Sequence, residues 1–190
     1  METKTPHRVL FIQGGGDGAH DQWDDKLVES LRRTLGPDYE IRYPRMPNEA
    51  DPRYLRWKNA LREELAKLDE GAILIGHSIG GTVLLSALAE EPPDWAPSGI
   101  FVISAPFVGV DGWPSEEMPP MRNLGARLPA HLPVYFYHGS QDQSVPFEHV
   151  DLYEKAIPQA AVRRLTGRNH QLNNDLSGVA MEIRHVTETS

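Results

Sequence analysis

The strongest constraint on this chain is a rhythm. Short apolar runs alternate with helical repeats from one end to the other. The pattern predicts strands over 8–13, 39–43, 72–75, 100–104, 134–138 and 161–166. After the first of these, Trp23, Leu27, Leu31 and Leu35 recur every four residues beside Val28, and Gly36-Pro37 stops the helix. Asp51-Pro52 offers an N-cap and a first-turn proline for a second helix, which carries Tyr54, Trp57, Leu61, Leu65 and Leu68 on one face and ends at Gly71. Further helices are expected over 79–89, over 147–157 and from 172 onward. The 72–75 run is almost wholly apolar, as a strand covered on both faces should be. Strands separated so regularly by helices predict an α/β fold: a roughly six-stranded, mostly parallel sheet with helices on both faces, in a single domain over 1–190.

Residues 105–133 break the rhythm. They join two strands through a stretch rich in Pro, Met and Trp, including Trp113, Met118 and Met121. A connection of that length inside a compact domain is usually functional or disordered. In an open α/β sheet it leaves from the carboxyl ends of the strands, where ligands bind. The expectation is a small cap, with Trp113, Met118 and Met121 offering an apolar surface to substrate.

Charge and composition narrow the partners. Acidic residues number 27 against 19 basic ones, a formal net charge of −8, which argues against nucleic acid and disfavours strongly anionic substrates. The chain has no Cys, so disulfides, zinc–thiolate sites and a Cys nucleophile are all excluded. No apolar run approaches the ~20 residues needed to span a bilayer. The first residues lack a secretory apolar region, so a cytoplasmic protein acting on a small molecule is expected. Oligomeric state is left open.

The chemistry concentrates at Gly76-His77-Ser78-Ile79-Gly80, set between an apolar strand and a helix. That is the context in which G-x-S-x-G forms a nucleophile elbow: a sharp strained turn exposes the serine, and glycines let strand and helix approach. The helix N-terminus then offers unpaired N–H groups, that of Ile79 first, to a developing oxyanion. A serine hydroxyl needs a base, and the base an orienting carboxylate, both downstream in this architecture. Asp142 lies in the turn after the fifth strand and His170 follows the sixth, so neighbouring strand ends can bring them together. Asp111 is the reserve acid, and Asp175 reads as an ordinary helix residue. Among eight His, only His170 has both the order and the placement of a base. His77 is expected to point away from the reaction centre, His138 to pack in its turn and His149 to sit on an exposed helix face. His20 is a candidate for lining the pocket.

These motifs resemble those of the α/β-hydrolases. The matching residues are Gln13-Gly14-Gly15-Gly16 after the first strand, the elbow around Ser78, His138-Gly139-x-x-Asp142-x-x-Val145-Pro146 for the acid, and Asn169-His170 for the base. The resemblance implies a catalytic triad of Ser78, Asp142 and His170, with no cofactor and no metal. It also implies an oxyanion hole built from Ile79 and a second backbone donor, best matched by Gly15, with Gly14 or Gly16 one residue away. Gly16 is further expected beside substrate, and Trp23 as a packing residue. The usual His-Gly before the oxyanion residue reads Gln13-Gly14 here, which alters the support of the hole. The leading pair of antiparallel strands common in the family is not evident, and this trimmed form resembles the compact branch that includes retinoblastoma-binding-protein-like serine hydrolases.

The expected activity is cleavage of a carboxylic ester, or a related acyl bond, through an acyl-enzyme. Two other readings compete. Gly14-x-Gly16-x-x-Ala19 matches a dinucleotide fingerprint, though the second predicted strand ends near Arg42 rather than at the acid that a ribose wants. A non-catalytic binding protein on the same fold is the other, and labelling of Ser78 would separate it from an enzyme.

Overall fold

A computed structural model describes residues 5–121 and 123–189. Six strands form one sheet: β1 (His7–Ile12), β2 (Tyr39–Arg42), β3 (Ile73–His77), β4 (Gly99–Ile103), β5 (Val134–Gly139) and β6 (Ala161–Leu165). They lie in the order β2-β1-β3-β4-β5-β6, and every pairing is parallel. The helices are α1 (Asp25–Leu35), α2 (Tyr54–Leu65), α3 (Ile79–Glu90), α4 (Leu124–Arg127), α5 (His149–Ala156) and α6 (Ser177–Thr189).

Side-chain alternation along the strands divides the core in two, as the two-residue period requires. Val9, Phe11, Ile73, Ile75, Phe101 and Ile103 face α1 and α6. Leu10, Ile12, Leu74, Ile100, Val102, Val134 and Phe136 point the other way, onto α2, α3 and α5. The central strands β3 and β4 are buried throughout, which accounts for their uninterrupted apolar sequences.

Three local departures from the expected pattern matter. The second helix begins at Tyr54, with Arg53 in an extended conformation at its N-cap and no side-chain cap, so Asp51-Pro52 lies outside it. The first helix is preceded by a π-helical turn, Ala19–Asp24, in which the buried positions are Ala19 and Asp24. The wider turn carries one residue more than an α-turn, so Trp23 rotates off the face of Leu27 and Leu31; it is 52% exposed rather than packed.

The third departure is the 105–133 segment. It holds one short helix, α4, and sinks Phe107, Val108, Met121, Leu124, Leu128 and Leu132 into the core beside α3 and α5. Its apolar side chains are thus largely spent on packing. No helix among the described residues is long and apolar enough to cross a membrane.

The sheet order fixes where a ligand site can form. From β1 the chain moves outward to β2 and then returns across to β3, so the connections after β1 and β3 leave on opposite faces. The crevice between them at the carboxyl ends is a topological switch point.

Candidate active site

The loop after β1 and the loop after β3 meet at that crevice. Ser78 sits at the start of α3 with φ 52° and ψ −132°, a conformation costly for a non-glycine residue. The turn is tight enough that a Cβ on Gly80 would collide with the carbonyl oxygen of Gln13, and one on Gly76 with the backbone of Gly81. Ser78 N–H donates to the Ile103 carbonyl at 2.8 Å, anchoring the elbow to the neighbouring strand end.

The glycine loop is stitched down on both sides of Gly15. Gly14 N–H donates to the Asp24 carboxylate at 2.7 Å, and Gly16 N–H to the Glu49 carbonyl at 2.6 Å. The N–H of Gly15 has no such partner among the described residues. Gln13, fully buried, supports the loop from below: its amide donates to the Glu49 carboxylate at 2.6 Å and accepts from Met46 N–H at 2.8 Å. The Glu49 carboxylate also takes His20 N–H at 3.0 Å. Burial opposes its ionisation, but these donors and the nearby Arg45 outweigh it and keep Glu49 below the ordinary carboxylate range. Gln13 therefore replaces the expected His-Gly support with a link to the 46–49 segment. The amides that a dinucleotide pyrophosphate would need are turned to Asp24 and Glu49 instead.

Acid and base meet at the other edge of the crevice. His170 Nδ1 donates to Asp142 at 2.8 Å, joining residues 28 positions apart. A Cβ on Gly139 would strike the carbonyl of Arg168, so the glycine permits the acid turn and the base loop to touch. The Asp142 side chain is fully buried and fully bonded: one oxygen accepts Ser144 and Val145 N–H at 2.8 and 2.9 Å, the other lies 3.1 Å from His138 Nε2. Burial works against its charge, yet His138, His170 and the backbone donors hold the carboxyl far below its usual range. Burial pushes the His170 pKa down; Asp142 pulls it up, the neighbouring His77 adds to the depression, and the net shift is downward. Asp111 sits on an exposed turn at φ 70°, and Asp175 pairs with Arg168 at 3.1 Å, so neither approaches the base.

Ser78, Ile79, His170, Gly14, Gly15 and Gly16 line one cavity of about 550 Å³, within the usual size for a small-molecule site. Trp23, Trp113, Pro52, Val145 and Asp17 complete much of its wall, and among the described residues neither Lys nor Arg contributes. The Ser78 hydroxyl and the His170 ring share this space without a hydrogen bond between them; such contacts often tighten only around substrate.

Of the expected substrate contacts, Trp113 and Gly16 reach the cavity, and three others do not. His20 is held behind the loop, stacked on Tyr43 at 4.0 Å with Nδ1 2.7 Å from Asp21. Met118 packs partly buried against the core. Met121 is buried, its sulfur accepting Val108 N–H at 3.4 Å. Both methionines leave the cavity because their segment folds down onto α3 and α5.

Two further histidines depart from expectation and a third keeps to it. His149 is buried, and its Nδ1 accepts Phe107 N–H at 2.8 Å while its ring meets Trp113 edge-on at 5.8 Å. His138 packs in its turn and also touches the acid. His77 does not turn away: it lines the cavity, bonded to Asp24 at 2.8 Å and to the His170 carbonyl at 3.1 Å. Asp24 carried no sequence signal, because an acid ahead of a helix reads as a cap. Among the described residues, no group of three His, Cys, Asp or Glu side chains is placed to hold a metal ion.

Comparison with known proteins agrees with this architecture. No curated protein matches the chain in sequence. Among solved structures, Est1E from Butyrivibrio proteoclasticus superposes with a TM-score of 0.71 at 16% identity, covering 98% of this chain and 89% of its own. The ydeN gene product from B. subtilis gives 0.73 at 20% identity, covering 96% and 99%. A serine hydrolase without lid from Xanthomonas campestris gives 0.67 at 17%, covering 98% and 83%. The sequence profile of the alpha/beta hydrolase family matches residues 9–185, nearly the whole of the sheet and its crossovers, and the chain belongs to that family.

Proposed function

We propose that this alpha/beta hydrolase is a serine hydrolase that cleaves a carboxylic ester, or a closely related acyl bond, through an acyl-enzyme. The observation that carries the reading is the 2.8 Å hydrogen bond between His170 and Asp142, beside the cavity that Ser78 lines from its strained elbow. With Nδ1 donating to Asp142, His170 has Nε2 left to accept the Ser78 proton. Attack by Ser78 Oγ on the substrate carbonyl forms a tetrahedral oxyanion. The N–H groups of Gly15 and Ile79 receive it, since Gly14 and Gly16 already donate within the protein. His170 then protonates the leaving alcohol and afterwards activates a water that releases the acid. Asp142 keeps the tautomer and stabilises the transient imidazolium.

The wall of the cavity favours a neutral acyl group with a flat apolar face. Trp23 and Trp113 supply aromatic surface, and among the described residues no Lys or Arg lines the cavity to receive an anionic substrate. Est1E, one of the similar structures, has been described with ferulic acid bound, an aromatic acid that such a wall would suit. The test is a hydrolysis screen across aliphatic and aromatic p-nitrophenyl esters, run beside Ser78→Ala. Turnover by the wild type that vanishes in Ser78→Ala, with aromatic or medium-chain acyl groups preferred, is expected. Turnover that survives Ser78→Ala would overturn the assignment.

A further inference from the structure

A second acid–imidazole pair lies in the same site and takes no part in the mechanism above. Asp24 and His77 are each 1% exposed, paired at 2.8 Å through Nδ1. The other ring nitrogen of His77 lies 3.1 Å from the backbone carbonyl of His170. A carbonyl oxygen can only accept, so Nε2 must carry a hydrogen. The facing Asp24 oxygen already takes Gly14 N–H at 2.7 Å and, as a carboxylate, accepts from Nδ1 as well. With Asp24 ionised, both ring nitrogens donate and the ring is an imidazolium. Burial alone would disfavour that charge, but Asp24 overrides it and the His77 pKa is raised, with the His170 carbonyl and Asp142 adding to the effect.

Each contact of this pair grips a different wall of the cavity. Asp24 comes from the π-helical turn before α1 and holds the glycine loop. His77 ends β3, one residue before the nucleophile, and holds the loop that carries the base. The rings of His77 and His170 are 4.8 Å apart.

We propose that the buried Asp24–His77 pair is the positioning brace of the site, locking the oxyanion loop, the serine and the base loop in one register and setting a fixed positive charge beside the His170 ring. This rests on the serine-hydrolase reading. Three groups face His170 electrostatically: Asp142 from the turn after β5, His77 from the end of β3, and Asp24 from the π-helical turn. Those facing His77 are Asp24, Asp142 and His170. The imidazolium opposes protonation of His170 and so keeps the base neutral to lower pH. It also binds the carbonyl of the same residue, so alignment and tuning share one side chain.

Imidazole NMR and steady-state kinetics on the wild type, Asp24→Asn and His77→Asn test the brace. In the folded wild type, both His77 nitrogens should show imidazolium shifts from pH 5 to pH 8 while His170 titrates. In His77→Asn the His170 midpoint should rise, corresponding to a gain of roughly 3- to 10-fold in its proton affinity, whereas Asp24→Asn also removes a carboxylate that favours the His170 proton and should raise it less. The acid limb of kcat/KM should move with it. Misplacement of the glycine and base loops should lower kcat by about 10- to 100-fold with little change in KM. A neutral His77 ring at pH 7 in the wild type would overturn the brace. So would variants with an unmoved His170 midpoint and wild-type kcat. If Asp24→Asn does not fold, the wild-type His77 resonances and His77→Asn decide the matter. A wild type inert toward esters would count against the hydrolase reading, and the imidazole titrations would still decide the brace.

Discussion

Two aspartate–histidine pairs stand side by side in this molecule, built from the same groups at the same 2.8 Å separation, and they do opposite things. In one, His170 is 13% exposed and has one nitrogen uncommitted at the cavity. In the other, His77 is sealed, with acceptors on both nitrogens. The first imidazole is shifted toward its neutral form, the second toward its charged form. Chemistry is therefore set by what occupies the second ring nitrogen, more than by the carboxylate on the first. An imidazole that can lose its proton is a base; one bonded on both sides is a fixed cation and a strut.

That contrast is open to attack by substitution, from the largest effect down. Ser78→Ala and His170→Ala should each lower kcat on p-nitrophenyl acetate by about 10⁴-fold or more, since triad members act as a unit. If His170→Ala kept near-full activity, the roles of the two imidazoles would have to be redrawn. Asp142→Asn leaves His138, Ser144 and Val145 to hold the turn, so its main effect is on the His170 tautomer, with a loss of about 10²- to 10⁴-fold in kcat. Circular dichroism should show that variant still folded.

The sealed pair answers to stability instead. Asp24→Leu would leave Gly14 N–H and His77 Nδ1 without their buried acceptor and cost about 1–3 kcal/mol in urea denaturation. A loss under ~0.5 kcal/mol, the scale of an ordinary surface substitution, would mean that the pair is not a strut. The pH profile follows from the open pair. His170 must be neutral to act, and its pKa lies below the ordinary imidazole value of about 6.5, so kcat/KM should rise with pH to a plateau through a midpoint under that value. A midpoint above it would contradict the burial and the His77 charge said to depress it. The smallest effect is expected at the mouth: Trp113→Ala should raise KM for aromatic esters by roughly 2- to 10-fold and leave kcat nearly unchanged.

The contact between His170 and Asp142 was legible in the sequence and that between His77 and Asp24 was not, for a physical reason. Ser78, Asp142 and His170 each follow an apolar run that ends in a turn, and parallel strands that stop at one edge deliver such residues to one place. The sheet itself was readable for the same reason, to within one or two residues at the strand ends. Asp24 depends on a π-helical turn, where a single extra residue rotates Trp23 outward and the acid inward. Periodicity at four-residue spacing assigns the opposite orientations. His77 looked like a bystander because nothing in its sequence neighbourhood names a partner 53 residues away. The 105–133 segment reads as a cap by length and composition, yet its apolar residues find better burial against α3 and α5 than over the cavity. Trp113 alone of the three expected side chains there reaches the site.

The role of the open pair depends on Ser78 being a nucleophile that His170 activates. Mass spectrometry of the wild type and Ser78→Ala after exposure to a fluorophosphonate probe tests this directly. The predicted result is one adduct per chain, located on the peptide bearing Ser78 and absent from the variant. A folded wild type that remains unlabelled, or an adduct that persists in Ser78→Ala, would contradict it.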